Sequence, residues 1–176
     1  MGLRLFPAQL RAVLFFFVLF GASAGVSLAP QTKPEPELRE RGPLADKFVR
    51  EKLPLWQSRL KLEDWKISIL SVHPSGLRAQ TMGNIHWDAD KKSAVIRVLD
   101  ASDYHMPFHA TLNDMEFTIV HELIHLELVS LPRSEASRSD EEHAINHLAD
   151  ALLQFDRRDD TLGALKASSS AASHER

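Results

Sequence analysis

The segment 114–131, DMEFTIVHELIHLELVSL, constrains this chain more than any other stretch. Met115, Phe117, Ile119, Val120, Leu123, Ile124, Leu126, Leu128 and Val129 make it apolar nearly all round, the pattern of a helix buried inside a domain. Such a helix tolerates polar side chains only where they find partners. Here they come as His121-Glu122-Leu123-Ile124-His125. At 3.6 residues per turn the two histidines lie one turn apart on one face, so their imidazoles can converge on one metal ion. Glu122 lies beside that face, within reach of a metal-bound water. Chance supplies about 0.03 H-E-x-x-H motifs in a chain of this composition, which makes two ordinary core histidines the weaker reading.

Any metal here must be held by histidine and carboxylate, because the chain has no cysteine. The same absence removes disulfides, a thiolate zinc site and a cysteine nucleophile. A formal charge of −3 and the lack of a basic stripe argue against a nucleic-acid partner. The length of 176 residues predicts one domain once the ends are set aside.

Those ends are distinctive. Residues 1–24 read as a signal peptide, with Arg4 and Arg11 before a short apolar core, then Ala22-Ser23-Ala24 as a small-x-small cleavage site. The core is shorter than the roughly 20 residues of a membrane span, although an uncleaved anchor stays open. Secretion or a periplasmic location follows as the expectation. Residues 25–43, rich in proline and charge, are expected to form a disordered linker. The domain is expected at 44–155, and the Ala/Ser-rich stretch 156–176 as a disordered tail.

Inside the domain, Leu44, Phe48, Val49 and Leu53 mark a helical stripe that Trp56 and Leu60 continue, with a kink or break at Pro54. Strands are expected at 65–72, at 79–87 and, most clearly, at 93–99, the last two pairing antiparallel across the turn 88–92. Thr111 is expected to cap the central helix, which stops at Pro132. A second helix is expected at 140–155, with Ile145, Leu148, Ala149 and Leu152 on one face. The fold class is therefore α+β, a small antiparallel or mixed sheet against a buried H-E-x-x-H helix and a further helix.

A catalytic zinc site commonly takes three protein ligands and a water. The extended pattern with Gly and a third His fails, since those positions are Leu128 and Leu131. The helix 140–155 is then the source of the third ligand, and Glu141, Glu142, His143 and His147 are its candidates. Ser139-Asp140-Glu141-Glu142 is also a capping box, in which Glu142 needs no metal. Glu141 lies nearer the centre of the apolar face, and the two histidines point to its polar side.

His121-Glu122-x-x-His125 followed by Glu142-His-Ala-Ile-Asn146 resembles the gluzincin-type zinc metallopeptidases, and 65–153 as a whole resembles small proteins with a minimal zincin core. The resemblance implies a zincin-like fold, Zn2+ as cofactor, His121, His125 and Glu142 as its ligands, and Asn146 orienting a ligating histidine. It also implies Glu122 as the catalytic base, a peptide or protein as substrate, and Ser93–Leu99 as an edge strand that pairs with extended peptide. Asn146 stands where an aspartate is commoner, which makes that hydrogen bond neutral. Tyr104, His105 and His109 are candidates for a donor to the oxyanion. Two other functions fit the same residues: a metal- or peptide-binding module without turnover, and a metal-dependent amidase on a cell-wall bond.

Overall fold

The structure is a computed structural model that describes residues 35–131 and 138–174. The signal-peptide region 1–24 lies outside the described residues.

Leu38–Arg59 forms α1, in which Ala45, Val49, Leu53 and Trp56 repeat at helical spacing and are buried. The expected break at Pro54 does not occur, and the helix runs through both Pro43 and Pro54. An interior proline costs about 3 kcal/mol. Burying one large apolar side chain contributes roughly 1.5–3 kcal/mol, so the α1 face outweighs it.

Of the expected linker at 25–43, residues 25–34 lie outside the described residues, and 38–43 are not linker but the start of α1. Composition measures what a segment can bury, whereas this one is held by polar contacts. Arg41 donates to the Glu35 carboxylate at 2.7 Å and to the Met106 carbonyl at 3.1 Å. Glu35 in turn accepts from the backbone N–H of Phe108 at 2.5 Å.

Three strands follow: β1 Lys66–Val72, β2 Gly83–Asp88 and β3 Ser93–Leu99. Their order is β1-β3-β2, with β3 parallel to β1 and antiparallel to β2. The β2–β3 hairpin is as the alternation predicts, with Ile85 opposite Ile96 and Trp87 opposite Ala94. The expectation that β3 is the peptide-binding edge is overturned. It is the central strand, paired on both sides, and β2 is an edge. Its sequence fits that place: Ala94, Ile96, Val98 and Leu99 are buried, and the residues between them are half-buried.

Phe108–Glu127 forms α2, the helix of the H-E-x-x-H motif. Met115, Ile119, Val120 and Leu123 are fully enclosed. It touches α1, β2, β3 and the last helix, so it is the shared wall of the domain. It begins three residues before Thr111, whose buried hydroxyl donates weakly, at 3.4 Å, to the Pro107 carbonyl. Its free N-terminal donor is met by Glu35 instead of by Thr111. A 3-10 turn, Leu128–Ser130, ends it before Pro132.

The last helix, α3, spans Arg138–His174. It buries Ile145, Ala149 and Leu153, with Leu152 at the edge of the core and Leu148 exposed. The tail expected at 156–176 is helical to residue 174. Asp156 shows why the expected boundary fails: it is buried, and its carboxylate takes Arg59 at 2.6 Å. The described residues thus form an α+β unit of three α-helices and a mixed three-stranded sheet. None of its helices is long and apolar enough to cross a membrane.

The Glu35 contact generates a stability prediction. Glu35→Ala removes a helix cap and the partner of Arg41, so it should destabilise the protein by about 1 kcal/mol in urea unfolding. An unchanged midpoint would mean that the start of α2 needs no help from the chain before α1.

Candidate metal centre and its cleft

Two helices build the site. On α2, the one-turn spacing brings His121 and His125 together, their ring centroids 4.8 Å apart and nearly perpendicular. On α3, Glu142 and Asn146 are likewise one turn apart and face them. The Nε2 atoms of His121 and His125 are 3.1 Å apart. Glu142 oxygens lie 3.3 Å from Nε2 of His121 and 3.5 Å from Nε2 of His125.

These separations decide what the group can hold. Metal–ligand bonds of about 2.0–2.1 Å in a tetrahedron put neighbouring donors roughly 3.3–3.4 Å apart. The three observed edges bracket that value. At this distance the two inner nitrogens either share one proton in an N–H···N hydrogen bond or both turn lone pairs to a common cation. His121, His125 and Glu142 could therefore hold one metal ion.

The outer nitrogens support the same assignment. Asn146 Oδ1 lies 3.0 Å from Nδ1 of His121. An amide oxygen only accepts, so it selects the tautomer with the proton on Nδ1 and leaves Nε2 bare. Burial, reinforced by the neighbouring His125, holds His121 below the ordinary histidine range against the pull of Glu142 and Asn146. It is then neutral at neutral pH, as a ligand must be. His125 Nδ1 lies 3.6 Å from a Glu141 carboxylate oxygen. Both adjacent glutamates are thus in use: Glu142 faces the inner nitrogens and Glu141 the back of one ring. His143 and His147 are exposed on the opposite side, 5.8 Å apart, and take no part.

Glu122 is buried beside this group and outside it. Burial pushes its carboxyl up to about 7, and the Glu142 carboxylate pushes the same way. Gly83, the first residue of β2, makes that burial close. A Cβ there would lie 2.4 Å from Thr118 Cγ2 and 2.8 Å from the Arg97 carbonyl, with Glu122 Oε1 at 3.5 Å. Only glycine lets the edge strand approach α2 at this point.

The group opens into a cleft of about 850 Å3. One wall is the α2 face of Asp114, Phe117, Thr118, His121, Glu122 and His125. The opposite wall is β2 and the loop before it, from Arg78 to Trp87, and the end of α3 closes the third side. The predicted donors Tyr104, His105 and His109 do not line it. Tyr104 is buried behind α2, His105 borders a separate hollow with Glu35 and Arg41, and His109 is on the first turn of α2. Sequence reading missed the contribution of β2. A glycine opening a strand was the signal, since such a glycine marks close approach of another element.

No family model matches the chain, and no curated protein or solved structure matches it.

The buried acid generates a pH prediction for metal-free protein. A free glutamate titrates near 4.5 and Glu122 near 7, so the folded state holds its proton over a range where the unfolded chain has lost it. That contribution to stability is complete below 4.5 and is lost as pH rises through 7. Its size is at most about 3 kcal/mol. With chelator present, Glu122→Gln should therefore be the more stable form at pH 8, with a gap that closes toward pH 5 in denaturant titrations. A gap independent of pH would show that Glu122 ionises like an exposed carboxyl.

Proposed function

We propose that this protein is an exported, zinc-dependent metallopeptidase with a minimal zincin-like core of the gluzincin type. The observation that carries the proposal is the placement of Glu122: a buried carboxyl next to a three-donor group, at the floor of an open cleft. A structural metal site has no use for an ionisable base at an open position, whereas hydrolysis requires one. Zinc is the ion of choice for two imidazoles and one carboxylate at tetrahedral spacing in a chain without thiolates. Export rests on the sequence of residues 1–24.

A zinc ion bound by His121, His125 and Glu142 would supply Lewis acidity to the attacking water and to the scissile carbonyl. The remaining work falls to side chains of this protein. Glu122 accepts a proton from the water as its oxygen bonds to the carbonyl carbon. It then delivers that proton to the departing amide nitrogen as the C–N bond breaks. A buried carboxyl beside the attacking water can both take the proton and return it. Asn146 and Glu141 fix the two imidazole rings. The free edge of β2 supports an extended peptide along the opposite wall, the role that β3 cannot fill.

Elemental analysis of the purified full-length protein should find one zinc per chain, absent from His121→Ala. Glu142→Ala should bind zinc distinctly more weakly. An unchanged affinity would move the third ligand elsewhere. Glu122→Gln should keep its zinc and lose about 100-fold or more in kcat on a peptide substrate. Zinc-loaded wild type that cleaves no peptide in a broad library would sink the peptidase reading.

A further inference from the structure

Asp114 is the one ionisable residue of the cleft's α2 wall that neither the metal group nor the base accounts for. It lies two turns before His121 on the same side of the helix, which places it about 10 Å along the cleft from the metal group. Its carboxylate is held from behind. The Tyr104 hydroxyl donates to Asp114 Oδ2 at 2.9 Å. Tyr104 is buried, and burial together with the adjacent Asp114 keeps its phenol protonated far above neutral pH, so the hydroxyl is a permanent donor. That hydrogen bond is the only side-chain partner of Asp114 among the described residues. No cation of the described protein neutralises it.

An unneutralised carboxylate on the wall of a cleft, braced by a tyrosine that cannot let go of its proton, is suited to receiving a charge from outside. The cleft is not acidic throughout, since Arg78 and Arg138 also line it. An extended peptide advances about 3.3 Å per residue, so 10 Å corresponds to roughly three residues from the scissile bond. A lysine or arginine side chain reaches the same point from a nearer position.

We propose that Asp114 is a specificity-determining residue that selects substrates carrying a cationic group, an amino terminus or a Lys/Arg side chain, near the scissile bond. This rests on the peptidase reading for its substrate class. The cationic group is the shared chemistry, and the test separates its two sources.

The experiment compares one cleavable peptide in four forms: with its amino terminus free or acetylated, and with lysine or norleucine within three residues of the cleaved bond. In full-length zinc-loaded wild type, removing the recognised cation should lower kcat/KM about tenfold, mainly through KM. Acetylation alone having this effect identifies the amino terminus, and norleucine alone identifies the side chain. In Asp114→Asn the ratio between cationic and neutral forms should collapse toward 1, and in Asp114→Lys it should invert in favour of the neutral forms. Asp114→Glu should restore part of it. Fluorescence anisotropy of the same peptides on Glu122→Gln reads binding without turnover. A cation preference there that depends on Asp114, with no cleavage by wild type, would keep this inference while the peptidase reading fell. Equal treatment of all four forms by wild type, in cleavage and in binding, would overturn it while leaving cleavage itself intact.

Discussion

Every feature of this domain follows from the difficulty of burying α2. The helix is enclosed by α1 on one side, α3 on another and the sheet on a third, yet it carries Glu116, Thr118, His121, Glu122 and His125. Unpaired, each such group costs several kcal/mol. Toward α1 the solution is conventional. Glu116 accepts from Trp56 Nε1 at 2.9 Å and pairs with Lys52 at 2.8 Å, so a buried carboxylate is compensated by a donor and a cation. Thr118 returns its hydroxyl to the Asp114 carbonyl one turn back. Toward α3 the solution is unconventional: the histidines face each other and a carboxylate, an arrangement that suits an ion better than it suits itself. Glu122 has no compensating cation among the described residues, and burial raises its proton affinity.

The sequence carried most of this arrangement, because it rests on local spacing. The i, i+4 histidines, Glu142 and the one-turn step to Asn146 are all encoded within single helices, and helical geometry converts spacing into direction. What spacing could not encode was how strands meet. Period-2 alternation locates β3 and pairs it with β2, but the insertion of β3 between β1 and β2 depends on a parallel contact across the intervening hairpin. The burial demanded by Ala94, Ile96, Val98 and Leu99 in one short strand pointed to a central place and was the better guide.

The ends of the domain were misjudged for a different reason. Both 25–43 and 156–176 look unable to bury apolar surface, and for a polar segment this usually means disorder. Here single polar contacts at long sequence separation tie in residues 35–43 and the start of 156–176. Glu35 reaches Phe108, and Asp156 reaches Arg59. Neither pairing leaves any periodic trace, since each depends on two residues rather than a face. Tyr104 differs likewise: its proximity to the start of the motif helix suggests a donor into the cleft, whereas its ring is core and its hydroxyl serves Asp114 from behind.

The two histidines are supported unequally, and the inequality bears on Glu122. His125 has a carboxylate, Glu141, at its outer nitrogen, whereas His121 has the neutral amide of Asn146. A carboxylate raises the basicity of the imidazole it touches more than an amide does. It also adds a negative charge to a site that already holds Glu141 and Glu142. Glu122 neighbours His121 in sequence and already feels Glu142 through a medium of low dielectric. In the metal-free protein another carboxylate at 146 would add to that push. The asparagine fixes the His121 tautomer without that penalty. The neutral amide on one histidine thus leaves the base beside it with one negative charge fewer to face.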